Sequence, residues 1–90
     1  MPKFLIEREI PGLGSLSGDE LRAVSQKSNG VLAELAPRVQ WQHSYITDDT
    51  LFCIYIAEDA EAVHAHARGG GFSANRVLQV SGVIDPTTGD

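Results

Sequence analysis

The fold is decided by residues 39–57, Val39-Gln40-Trp41-Gln42-His43-Ser44-Tyr45-Ile46-Thr47-Asp48-Asp49-Thr50-Leu51-Phe52-Cys53-Ile54-Tyr55-Ile56-Ala57. Two runs rich in β-branched and aromatic residues flank Asp48-Asp49, a turn dipeptide. The stretch predicts two strands, 39–47 and 50–57, joined as a hairpin. On the first, Val39, Trp41, His43, Tyr45 and Thr47 share one parity. On the second, Phe52, Ile54 and Ile56 alternate with Leu51, Cys53 and Tyr55. With Asp48 and Asp49 as the loop, Thr47 pairs with Thr50. Tyr45 then lies opposite Phe52, His43 opposite Ile54 and Trp41 opposite Ile56. In that register the aromatic set faces the helices. A one-residue bulge would instead set His43 beside Cys53 or Tyr55.

Working outward, residues 3–10 alternate as a strand, with Phe4, Ile6 and Ile10 on one parity and Leu5, Glu7 and Glu9 on the other. Arg8 interrupts the apolar set. Pro11-Gly12-Leu13-Gly14 stops the strand. Ser17-Gly18-Asp19-Glu20 is a capping box. The helix it opens carries Leu21, Val24, Ser28, Val31, Leu32 and Leu35 at steps of three and four, which is one face. Pro37 ends it near Ala36. Beyond the hairpin, Glu58-Asp59 supplies acids for the start of a second helix. That helix runs to about Arg68 and is terminated by Gly69-Gly70-Gly71. Residues 76–84 form a last strand, stopped by Asp85-Pro86. Residues 1–86 are expected to form one domain, and 87–90 a flexible tail.

The order is β-α-β-β-α-β. It predicts an α+β, ferredoxin-like sandwich: a four-stranded antiparallel sheet with both helices on one face. Phe4, Ile6, Phe52, Ile54, Ile56, Leu78, Val80 and Ile84 are the apolar parity expected beneath the helices. Leu5, Glu7, Glu9, Cys53, Tyr55, Gln79, Ser81 and Val83 are the mixed parity expected on the bare face.

Ninety residues leave a thin core, one that a ligand or second subunit would support. A formal charge of −5 argues against a nucleic-acid backbone or an anionic membrane as partner. The single cysteine, Cys53, cannot close an intramolecular disulfide and favours a reducing compartment. The N-terminal apolar run is too short for a signal peptide or a span, so a cytoplasmic protein is expected.

Specific residues then become informative as a set. Phe4-Leu5-Ile6-Glu7-Arg8, Trp41-Gln42-His43-Ser44-Tyr45 with Thr47-Asp48-Asp49, Phe52-Cys53-Ile54-Tyr55, and His66-Ala67-Arg68 leading to Gly70-Gly71-Phe72 form a pattern covering nearly the whole chain. Asn75-Arg76-Val77 and Asp85-Pro86 also fit it. In these segments the chain resembles a family of small bacterial ferredoxin-like proteins of unknown function to which nickel binding is ascribed. Ser73 stands where the family pattern has proline, and His64 at a variable position. The resemblance implies the ferredoxin-like fold, a homodimer and Ni2+ as ligand.

His43 offers an imidazole suited to nickel, zinc or copper; its plainer reading is a hydrogen-bonded structural histidine. Glu61 and His64 fall one turn apart on the second helix as a carboxylate–imidazole pair, or simply a solvated face. His66 points elsewhere and is placed to favour the helix C-terminus. His43, Glu61, His64 and His66 are therefore the candidate metal ligands. Glu7 and Glu9, about 7 Å apart on one strand face, are grouped with Cys53 and Tyr55 as a possible pocket. The glycine run lacks the lysine and preceding strand of a phosphate loop and reads as a helix terminator.

The resemblance, with three histidines and 12 acidic residues in a small chain, implies a non-enzymatic dimer that sequesters nickel. The rival reading is a small-molecule enzyme of the dimeric α+β barrel type, its pocket lined by Glu7, His43, Cys53 and Tyr55. A bare dimerisation module is the third.

Overall fold

The computed structural model describes residues 1–90. Strands β1 (Lys3–Glu9), β2 (Val39–Ile46), β3 (Thr50–Ala57) and β4 (Arg76–Gln79) and helices α1 (Gly18–Leu35) and α2 (Ala60–Gly70) occur in the order β-α-β-β-α-β. The strands form one antiparallel sheet in the order β2-β3-β1-β4. This is the α+β, ferredoxin-like arrangement expected from the sequence. No helix is long and apolar enough to cross a membrane.

Local chemistry sets the element ends. At Ser17 the capping box is complete: the Glu20 amide donates to Ser17 Oγ at 3.1 Å, and the Ser17 amide donates to Glu20 Oε1 at 3.0 Å. Pro37 stops α1, whose cap is Ala36. Asp59 Oδ1 accepts from the Ala62 amide at 2.9 Å and starts α2. Gly71, at φ 67°, closes α2 in the left-handed conformation that glycine adopts without a Cβ penalty.

The hairpin turn is as expected, with the Thr47 amide donating to the Thr50 carbonyl at 3.0 Å. Tyr45 pairs with Phe52 and His43 with Ile54. A bulge then falls between Trp41 and His43, so Trp41 lies opposite Tyr55 rather than Ile56. The bulge turns Trp41 to the helix side with Tyr55, while His43 keeps its partner Ile54 but lies on the open face, not beneath the helices as expected. The turn also anchors the β1–α1 connection. Ile10 and Gly14 amides donate to the Asp49 and Asp48 carbonyls at 2.8 and 2.9 Å.

The expected faces are reversed on both β3 and β4. On β4, Leu78 pairs with Leu5 on the open face and Val77 with Ile6 on the buried one. Ile6 pairs with Cys53 and Phe4 with Tyr55, so Cys53 and Tyr55 share the buried face of β1. Cys53, Tyr55 and Ala57 lie in the core with Phe4, Ile6, Val39, Ala62 and Val63. Phe52, Ile54 and Ile56 occupy the open face, half-buried, together with Leu5 and Glu7. Both parities of β3 are apolar, so alternation alone cannot choose between them. The side chains α2 presents to this core, Ala62 and Val63, are small, and Cys53 and Ala57 are the β3 residues that fit beneath them.

The last strand is shorter than the 76–84 expected. Its ladder to β1 ends with the Val80 amide donating to the Lys3 carbonyl at 2.8 Å, because β1 has no further residue to pair. Residues 81–90 are exposed, and Pro86–Gly89 form a 3-10 turn capped by Asp85.

Candidate functional site

The helix-side face of the sheet is not fully covered. Leu32 and Leu35, late in α1, pack on the core. The earlier half of α1, with Leu21, Val24 and Ser25, instead roofs a cavity of about 280 Å³. The β1–α1 connection closes one side through Leu13 and Leu16, and β2 and β3 supply the floor with Trp41, Ser44, Leu51, Cys53 and Tyr55. Of its 16 lining residues 11 are hydrophobic and none is acidic, so its polar members stand out. Val24 and Ile46 line it while remaining 41% and 47% exposed, which places the mouth between α1 and the end of β2.

Four of the polar members, Arg8, Tyr55, His66 and Ser28, touch in a chain. Arg8 is 2% exposed and projects from β1 on the core parity. Its Nη1 donates to the Ser73 carbonyl, and its Nη2 reaches the Tyr55 hydroxyl at 3.5 Å. Its guanidinium carbon lies 5.6 Å from the centre of the Phe72 ring. None of the chain's four ion pairs includes Arg8. Ser28 Oγ and His66 Nε2 are hydrogen-bonded at 3.0 Å, and the His66 ring packs 5.3 Å from Tyr55 and 5.5 Å from Phe72. His66 Nδ1 is buried without a partner.

This setting controls protonation. Burial, and then the Arg8 charge, lower the His66 pKa to about 4, so the ring is neutral near pH 7. Burial pushes the Tyr55 phenol up, a rise that Cys53 reinforces and Arg8 opposes. The cavity wall therefore carries one permanent cation, Arg8, among neutral groups.

The structure separates the residues proposed from sequence. Cys53 and Tyr55 line the cavity, whereas Glu7 pairs with Phe52 and His43 with Ile54 on the opposite, open face. A pocket built from Glu7, His43, Cys53 and Tyr55 together is thus excluded, because β3 presents Cys53 and Tyr55 to the helices. Glu7 lies 3.5 Å from Arg76, and Glu9 is exposed with its amide bonded to Asn75 Oδ1 at 2.8 Å. His43 is exposed, its ring edge-on to Tyr45 at 5.1 Å. Glu61 is exposed and ion-paired with Arg68, and His64 is half-buried one turn away. His66 does not cap the helix end; it is fully buried against Ser28. No three His, Cys, Asp or Glu side chains come together in one chain in a way that would hold a metal ion.

Arg8 and Ser28 were not singled out from the sequence as site residues. Both carried a signal: a charge on the buried parity of β1, and a hydroxyl on the apolar face of α1.

Comparisons with known proteins agree with this architecture. Residues 4–80 match the family described as nickel responsive protein SCO4226-like. The crystal structure of SCO4226 from Streptomyces coelicolor A3(2) superposes with a TM-score of 0.76 over 91% of this chain and 99% of that one, at 19% sequence identity. At that identity the likeness speaks for the fold. No curated protein matches the sequence.

Proposed function

Because the chain belongs to the nickel-responsive, SCO4226-like family, we propose that it binds a divalent metal, nickel foremost, and does so as a homodimer that sequesters the ion. The observation that carries this reading is the family match across residues 4–80. The distribution of donors supports the dimer. One chain gathers no trio of ligands, and in this reading a second copy supplies the donors that complete the coordination sphere. His43 stands exposed on the open sheet face among Leu5, Phe52, Ile54 and Ile56, an apolar strip that a second copy would bury. Leu78 on the same face, and Val83 and Ile84 beyond it, add exposed apolar surface.

His43 is the proposed imidazole ligand at this interface. His64 with Glu61 is a second, two-donor position on α2, reached when Glu61 leaves Arg68. His66 is set apart from these, since a cation beside it would meet the Arg8 guanidinium.

Titration calorimetry with nickel chloride tests the reading. The wild type is expected to bind nickel, and His43→Ala to weaken it at least about tenfold, the loss of one ligand bond. Binding no tighter than that of a variant lacking all three histidines refutes it. Light scattering at micromolar protein is expected to report a dimer, and a monomer refutes the interface.

A further inference from the structure

We propose that the helix-side cavity is a binding site for a small carboxylic acid with an apolar body, its carboxylate paired with Arg8. This proposal is independent of the metal reading, which concerns the other sheet face.

The argument starts from charge. Arg8 is 98% buried from solvent and has no acidic partner in the chain. Its two acceptors, the Ser73 carbonyl and the distant Tyr55 hydroxyl, are neutral and leave part of its five-donor fork unused. The Phe72 face offsets some of the charge but supplies no anion. A buried cation without a counter-charge is costly, and proteins keep one where an anion completes it. His66 does not add to the charge, being neutral near pH 7, and Tyr55 stays protonated and able to donate.

Shape specifies the rest of the ligand. Arg8, Tyr55, His66 and Ser28 form a chain of contacts in one part of the wall. Apart from Ser25 and Ser44, whose hydroxyl accepts from Trp41 Nε1, the remainder is apolar, from Leu13 and Leu16 to Leu21 and Leu51. A volume of about 280 Å³ is roughly nine water volumes, room for an acid of about ten non-hydrogen atoms. The exposed Val24 and Ile46 give it a way in. A carboxylate at Arg8 forms a charge-assisted, two-pronged pair in a site poor in water, and the hydrocarbon fills the apolar part. Neutral and cationic molecules of the same length lack that pair, so the site discriminates by charge.

Thermal shift and calorimetry on the full chain test this with octanoate, octan-1-ol, octylamine and 3-phenylpropionate. Octanoate or 3-phenylpropionate is expected to raise the melting temperature with dose, and the stronger of the two identifies an aliphatic or an aromatic body. Octan-1-ol is expected to bind about ten- to a hundredfold more weakly than octanoate, and octylamine to give no shift. Arg8→Met should erase the preference for octanoate over octan-1-ol. Val24→Trp, at the exposed mouth, should weaken the acid at least about tenfold with the fold intact and serves if Arg8→Met does not fold. The proposal is overturned if neither acid binds, if octan-1-ol equals octanoate, or if Val24→Trp binds undiminished.

Discussion

Replacing His66 by glutamine and unfolding both proteins in urea between about pH 7 and pH 4.5 isolates one buried group. Glutamine keeps a polar nitrogen within reach of Ser28 and cannot titrate. In the wild type the ring faces Arg8 from β1, Tyr55 from β3, Ser28 from α1 and Phe72 beyond α2. Burial and the Arg8 charge hold its pKa at about 4, against 6.5 in an ordinary setting. The sign follows from proton counting. Between those values the unfolded chain takes up a proton that the folded chain refuses, so wild-type stability falls as pH falls below about 6.5. The full shift carries about 2.4 kcal/mol across the interval. Solvent screening through the mouth at Val24 and Ile46 lowers this, so about 1.5 kcal/mol is expected. A small domain with a urea slope near 1 kcal/mol per molar would then lose about 1.5 M in midpoint. The variant should lack this component. The Glu20 and Asp85 carboxyls, both held low by hydrogen bonds at their caps, lose their contributions mainly towards the acid end and beyond, and equally in both proteins. If wild type and His66→Gln lose stability in parallel, the neutral, charge-opposed histidine is wrong.

Gly30 lies within α1 with open space where a Cβ would go, so Gly30→Ala should stabilise by up to about 1 kcal/mol in thermal unfolding. A destabilised variant would contradict the exposed helix face. At Gly70 a Cβ would overlap the Phe72 ring, so Gly70→Ala should cost about 1–3 kcal/mol and displace the ring from Arg8 and His66. Unchanged stability and unchanged near-ultraviolet circular dichroism would count against that packing. Ile54→Lys places a charge in the middle of the open face opposite Leu5 and His43. Light scattering should show a folded monomer, and a persisting dimer would move the interface elsewhere.

The ends of the elements were legible because their causes are local. Ser17 and Glu20 close their box within one turn, Asp59 caps within three residues, and Pro37 blocks the helix it follows. The strand-rich hairpin could be placed, but its register stood open between a plain and a bulged pairing; Tyr45 and His43 take the plain pairing and the bulge falls before Trp41. The candidate cavity was legible only in pieces. Cys53 and Tyr55 were chosen together and do line it, but their assignment to the bare sheet face was wrong. Arg8 looked like an interruption of an apolar pattern and Ser28 like one more member of the α1 face, and both belong to the polar part of the wall.

By itself the sequence determined the six elements, their order and hence the ferredoxin-like sandwich, since caps, turns and periodicity act over a few residues. Only the tertiary structure decided which face of β3 is buried. Its two parities are nearly equal in hydrophobicity, so the choice fell to contacts distant in sequence. The pairing of Ile6 with Cys53 and the small side chains of α2 turned Cys53 and Tyr55 inward. The same turn carried His43 outward and left an unpaired arginine in a cavity beneath α1.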